Sequence, residues 1–386
     1  MLCCLEKLRL EVNYMQLPDF KLERYFSAYE FNAPYLLCCS DCESITIADL
    51  LDLEGAQAWE AFGRISLGYT EAPGGLQLRR SIAGLYTRMD EGNILVTSGA
   101  EEAIFLFMNS VLKPGDHIIV QFPAYQSLFE IARAIGCDVT RWELREDEGW
   151  KPNLDFLRQS IKGNTRAIVI NSPHNPTGYQ MSKAEQAAIV EIAREHGIIV
   201  FSDEVYRYLE YEMEDRLEAT CDLYENAVSL GVMSKSYGLA GLRIGWIATS
   251  NREVFKRMAA FKDYTSICNS APSEFLANLA LKHHDQLVNR NLTIIKDNLQ
   301  VLNDFFFHYE HLFSWKQPKA GPISFPRIKW EENVEAFCSA LVADKGVLLL
   351  PGTCYDYGNR HFRIGFGRKN LPEGIQMLQD YLTEKY

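Results

Sequence analysis

No stretch of this 386-residue chain approaches the roughly 18 apolar residues that a membrane-spanning helix needs. The longest apolar runs, such as Gly197–Phe201 and Gly346–Leu350, are strand-sized. A basic run is also missing. Lys and Arg number 39 against 51 Asp and Glu, a formal net charge of −12, which excludes a general nucleic-acid binder because phosphate contacts need clustered positive charge. There is no internal repeat, no low-complexity block and no GxGxxG turn, so nicotinamide dinucleotide binding finds no support. The ten cysteines lack metal-site spacing. Cys3–Cys4 and Cys38–Cys39 are adjacent pairs with Cys42 near the second, and neither a second CxxC nor a paired His accompanies them. They are expected to be small buried hydrophobes, with no metal bound. The opening MLCCLEKLRLEVNYM has scattered charges and no apolar block of secretory-signal length, so reduced thiols and a cytoplasmic location are expected.

What is present is an ordinary globular mixture, 47% hydrophobic and 23% charged, long enough for two or three domains. From residue 94 short β-branched runs alternate with helical patterns. Strands are expected at Ile94–Thr97, His117–Gln121, Arg166–Asn171, Ile198–Ser202, Ala227–Gly231 and Arg243–Thr249. Helices are expected at Ala100–Lys113, Tyr125–Ile135 and Lys183–His196, each stopped by a following Gly or Pro-Gly. Apolar strands separated by helices imply a mostly parallel sheet covered on both faces, an α/β core. Ligands of such sheets sit beyond the carboxyl ends of the strands.

After about residue 285 the pattern changes. A long helical stretch from Asp285 to Leu312 precedes Ile323–Ile328, a helix near Val334–Asp344, strands at Val347–Leu350 and Phe362–Phe366, and a last helix. This suggests a smaller α+β domain at 285–386 beside a large one at 46–284. Residues 1–45 have no place in the sheet and are expected to cover the small domain or a partner subunit.

Four segments carry unusual polar residues just after strands. In TSGAEEAIF (97–105) a strand runs into a helix start, whose free N–H groups suit an anion, although a turn capped by Ser98 would read the same. In INSPHNPTGY (170–179) two prolines and a glycine bracket Asn175. Asp203 follows the apolar run of IIVFSDEVYRYL, and a carboxylate there is costly unless it meets a cation or donors. Lys235 follows the next strand and Arg243 comes eight residues later. Asn175, Asp203 and Lys235 are spaced by 28 and 32 residues, each one helix plus one strand, so the three return to one edge of the sheet.

Together NPTG (175–178), SDEVY (202–206) and SKSYGLAGLRIG (234–245) resemble the class I/II, fold type I aminotransferases that depend on pyridoxal 5′-phosphate. The resemblance takes in GYTEAPGGLQLRRSIAGLY (68–86) and FRIGFG (362–367), and so covers most of the chain. It implies a large domain with a mostly parallel sheet and a smaller α+β domain. It also implies that Lys235 forms a Schiff base with the cofactor and afterwards moves the proton between Cα and C4′. Asp203 would pair with the pyridine nitrogen, and Asn175 and Tyr206 would donate to the ring hydroxyl oxygen. The phosphate would rest on the Gly99–Ala100–Glu101 turn, held by Arg243 and Ser234. Tyr125, in FPAYQSL, would stack on the ring, and Tyr69 would reach the phosphate from the neighbouring subunit of a homodimer. Arg363, beside Asn175, would clamp the substrate α-carboxylate.

The implied activity is amino transfer between an amino acid and a 2-oxo acid (EC 2.6.1.-). Elimination, cyclisation or decarboxylation of a modified amino acid uses the same cofactor and stands as the alternative. A cofactor-sensing regulator is a third reading, but 45 residues are too few for a winged-helix DNA reader. The chain departs from the family pattern at Val232, where Ser or Gly is usual, and in FNAPYLLCCSDCES, where the small-residue-rich substrate loop is absent.

Overall fold

The apolar runs between 94 and 248 form strands in the computed structural model, which describes residues 16–385. In chain order they are β1 (Ile94–Thr97), β2 (His117–Phe122), β3 (Asp138–Glu143), β4 (Thr165–Asn171), β5 (Ile199–Asp203), β6 (Ala227–Val232) and β7 (Gly245–Ala248). They join one seven-stranded sheet in the order β1-β7-β6-β5-β4-β2-β3. β7 runs antiparallel to both its neighbours, and every other pairing is parallel. Residues of β2, β4, β5 and β6 are buried almost throughout because helices cover both faces. β3 was not evident in the sequence: as an edge strand, DVTRWE keeps most of its side chains at least partly in water and shows no apolar run.

Helix boundaries follow local chemistry. Lys183–His196 begins at a Ser182–Glu185 capping box and ends at left-handed Gly197, as the sequence signals suggest. The expected helix from Tyr125 starts instead at Ser127, leaving Tyr125 in the loop after β2. The helix after β1 spans Gly99–Val111, and Ser98 does not cap it with its hydroxyl. Its first turn is closed from within, by Ser98 N–H donating to the Glu102 carboxylate at 2.5 Å.

Beyond the sheet, helix His284–His308 leads into small antiparallel pairings and the helices Val334–Lys345 and Leu371–Lys385. The expected strand Ile323–Ile328 is split into Ile323–Ser324 and Arg327–Ile328, because Pro326 between them has no N–H to donate. The expected strand Val347–Leu350 narrows to Leu350–Pro351. Val347 bridges Tyr35 instead, and Leu348 N–H donates to the Tyr35 carbonyl at 2.9 Å.

The segment before residue 45 therefore takes ladder positions that the sequence pattern assigned to a local strand. It carries helix Lys21–Tyr29, and it rests on the strand Phe362–Gly365: Gly365 N–H donates to Leu37 O at 2.7 Å and Glu43 N–H to Gly367 O at 2.8 Å. Cys3 and Cys4 lie outside the described residues. The described cysteines are free thiols, and Cys38, Cys39 and Cys42 are buried. No helix among the described residues is long and apolar enough to cross a membrane.

Candidate active site

The strand order sets the site. With β7 inserted between β1 and β6, the carboxyl ends of β1, β6, β5 and β4 face one crevice, and Asn171 of β4 is registered directly beside Asp203 of β5. A cavity of about 220 Å³ opens there. Asn175, Asp203, Tyr206, Ser234, Lys235, Arg243, Ala100, Glu101, Tyr125 and Arg363 all line it. Gly99 does not line the cavity; it packs behind, against Arg243. Tyr69 does not reach the cavity of its own chain and is 93% exposed.

Asp203 is the last residue of β5, not the residue after it, and is 6% exposed. Its side chain accepts one hydrogen bond, from Val205 N–H at 3.2 Å. Burial pushes its pKa up to about 7, against the smaller opposing pull of the Val205 N–H and of Lys235. Lys235 Nζ donates to Ser40 Oγ at 3.0 Å and lies 5.9 Å from the centre of the Tyr206 ring. Burial lowers its pKa, with Arg363 adding in the same direction and Asp41 opposing. A lowered pKa favours the neutral amine, the nucleophilic form.

At the other end of the cavity the backbone approaches closely. Gly99 has φ +78, and a Cβ on it would stand 2.5 Å from Arg243 Nη2; a Cβ on Gly245 would stand 2.6 Å from the Gly99 carbonyl carbon. Arg243 does not open β7 as the sequence pattern suggested. It occupies a left-handed position (φ 52) that turns its guanidinium over the first turn of helix Gly99–Val111, and β7 starts at Gly245. Its one hydrogen bond is a 3.4 Å contact to Ala240 O, and no carboxylate pairs with it among the described residues. A cation above a helix N-terminus is an anion cradle.

Arg363 is 1% exposed. Its Nε and Nη2 donate to the Cys38 carbonyl at 3.0 and 2.6 Å. Its Nη1 donates to Tyr355 Oη and to Asn175 Oδ1, the latter at 3.1 Å. No carboxylate reaches it among the described residues, so this buried guanidinium has neutral partners only. The Asn175 carbonyl oxygen also accepts from Tyr355 at 2.9 Å, which leaves the amide nitrogen as the free donor. Burial raises the pKa of Tyr206 and Tyr355 and keeps both phenols protonated.

Leu22, Glu23, Phe26, Ser40 and Asp41 also line the cavity, and Tyr355 supports it; sequence reasoning missed all six. The Ser40–Lys235 and Asn175–Tyr355 pairs are 195 and 180 residues apart in the chain, and no motif or periodicity flags them.

The family Aminotransferase class I and II matches residues 55–377. The chain belongs to that family. Capreomycidine synthase of Streptomyces vinaceus is 28% identical over 370 residues, 95% of this chain and 94% of that protein. A PLP-dependent aminotransferase structure from Streptococcus suis 89-1591 is 33% identical with a TM-score of 0.90, covering 96% of this chain and 98% of that one. The structure of the PLP-dependent cyclase OrfR is 27% identical with a TM-score of 0.88, over the same shares. As a member of the aminotransferase family, the enzyme uses pyridoxal phosphate as its cofactor.

The residues of this aminotransferase-family site fit that group. The buried carboxylate of Asp203 suits a protonated ring nitrogen, and the Gly99–Arg243 cradle, which a Cβ would fill, suits a phosphate.

Proposed function

We propose that this enzyme moves an amino group between an amino acid and a 2-oxo acid, with Lys235 carrying the cofactor covalently. The observation that carries the reading is the shared cavity of Lys235 and Arg363: an amine whose pKa burial lowers, and a buried guanidinium without a counter-ion. When bound, pyridoxal phosphate supplies an electron sink for the pair left at the substrate Cα.

The protein's part is binding, orientation and proton handling. Arg363 takes the α-carboxylate of the substrate in two parallel N–H bonds as its Nε and Nη2 release the Cys38 carbonyl, with the Asn175 amide beside it. The Lys235 amine would remove the proton at the substrate Cα and return one to the cofactor carbon C4′, so one group acts as base and then as acid. Asp203 would hold a proton on the ring nitrogen by charge. Asn175 and Tyr206 would donate to the ring hydroxyl oxygen, and Tyr125 would pack on the ring face. The backbone N–H groups of Ala100 and Glu101, with Ser234 and Arg243, would hold the phosphate. Val232 lines the cavity where the family usually has a smaller or hydroxyl-bearing residue, so it adds no hydrogen bond there.

Tyr69 serves a second copy of the chain. Its segment is pinned by Thr70 Oγ1 donating to Asn269 O at 2.8 Å and by Lys262 donating to Ala72 O, while Leu67, Tyr69 and Tyr264 stay exposed. This supports a homodimer in which Tyr69 completes the neighbouring phosphate site. The division into domains at 46–284 and 285–386 lets Arg363 move with the smaller unit. The free thiols fit a reducing, cytoplasmic setting.

A second reading keeps the residues and changes the outcome to cyclisation or elimination. It is favoured by the similarity to capreomycidine synthase and to the OrfR cyclase. One assay separates the two: the holoenzyme is mixed with amino-acid donors and 2-oxo-acid acceptors. Amino exchange supports the transaminase. Release of ammonia, or a cyclised product without exchange, supports the second reading and contradicts the first.

A further inference from the structure

The charges lining the cavity do not cancel once the reaction described above has used its share. Three cations face it, Lys235, Arg243 and Arg363, and each already has a task. Of its carboxylates, Asp203 answers the ring nitrogen and Asp41 is paired with Arg368 at 3.0 Å. Glu23 and Glu101 remain. No Lys or Arg lies within 4.0 Å of either among the described residues. Among the described residues Glu23 accepts only from the Tyr125 hydroxyl, at 3.2 Å, and Glu101 only from Ser127 Oγ, at 3.1 Å. The two carboxyls also oppose each other: Glu101 is pushed up to about 7, chiefly by burial with Glu23 adding, against the smaller opposing pulls of Ser127 and Arg243.

Glu23 lies on helix Lys21–Tyr29, and Leu22 and Phe26 of that helix line the same cavity, as does Ile104 from the helix after β1. The cavity thus offers apolar side chains from both helices and a carboxylate on one of them. Its complement is an aliphatic stem with a positive tip. A substrate bearing a second carboxylate would instead meet the Glu23 carboxylate and no spare cation.

We propose that Glu23 is the specificity residue of the site and selects amino acids whose side chain ends in a cation, a guanidinium or an ammonium on an aliphatic stem. This rests on the amino-acid chemistry proposed above and names the substrate class of that same site. Arg363 holds one end of the substrate as carboxylate, and Glu23 holds the other as cation. The net charge of −12 works in the same direction, since it raises the local concentration of cations.

The test uses the holoenzyme with L-arginine, L-lysine, L-norleucine and L-glutamate, in wild type and in Glu23→Gln. The readouts are the visible absorbance of the cofactor and titration calorimetry. Glutamine still accepts from Tyr125 through its amide oxygen, so only the charge is removed. Wild type should half-saturate with arginine or lysine at a concentration roughly tenfold below that for norleucine, with glutamate weakest. Glu23→Gln should raise the value for the basic amino acid by about tenfold and leave norleucine within about twofold. If norleucine or glutamate matches the basic amino acids in wild type, or Glu23→Gln leaves their values unchanged, the inference is overturned while the amino-acid chemistry stands. If no amino acid alters the cofactor spectrum, both are overturned.

Discussion

Asp203 shows how one residue can be adverse alone and useful in company. Its carboxyl sits at the end of a buried strand with a single donor, and burial raises its pKa from the ordinary 3.8 to about 7. In the protein without cofactor, both folded and unfolded states are protonated below about pH 4, and the group costs nothing. Between about pH 4 and 7 the unfolded chain releases its proton while the folded one keeps it, so stability falls as pH rises. Above about 7 the loss is complete. Thermal unfolding of the cofactor-free protein should therefore show wild type losing a few degrees more than Asp203→Asn between pH 5 and 8. Equal slopes in the two proteins would show that the carboxyl is not held in this unfavourable state. At the same scale, Lys235, Asp203 and Asn175 were legible in the sequence because each stands just past a recognisable apolar run, and Arg243 because it stands just before one, all inside spaced motifs. Glu23 and Ser40 were not, because Glu23 lies in a charged stretch without a motif and the partner of Ser40 is 195 residues away in the chain.

At the scale of elements, the strands of the sheet could be read because burial on both faces forces continuous apolar runs. The edge strand β3 and the two-residue strand Phe313–Ser314 escaped for the opposite reason, being polar or too short to show a period. The least legible element was the segment 34–45, whose backbone ladder partners lie more than 300 residues away, as in the bond from Gly365 N–H to Leu37 O. That contact is close: a Cβ on Gly365 would stand 1.7 Å from the Cys39 carbonyl oxygen. Neither backbone has room to yield without moving residues 37–42, which carry the Cys38 carbonyl to Arg363 and Ser40 to Lys235. Gly365→Ala should cost about 1–3 kcal/mol of stability. It should also raise the half-saturating amino-acid concentration more than it weakens cofactor binding. Calorimetry with substrate titration checks both; an unchanged melting temperature and unchanged saturation would mean the segment is not pinned there.

For the whole molecule, the central result is convergence. Segments near residues 23, 40, 100, 175, 203, 235 and 363 meet in one cavity because the strand order folds distant turns onto one edge, and because the first and last parts of the chain close over it. Fold class followed from the alternation of strands and helices, whereas the closing contacts depended on pairings across nearly the full length of the chain. The account turns on Lys235 as the point of cofactor attachment. The most direct measurement is borohydride reduction of the holoprotein followed by digestion and peptide mass analysis. A single pyridoxyl adduct on Lys235, missing from Lys235→Ala, is the predicted result. An adduct on another lysine, or none in a protein that has bound the cofactor, would contradict it.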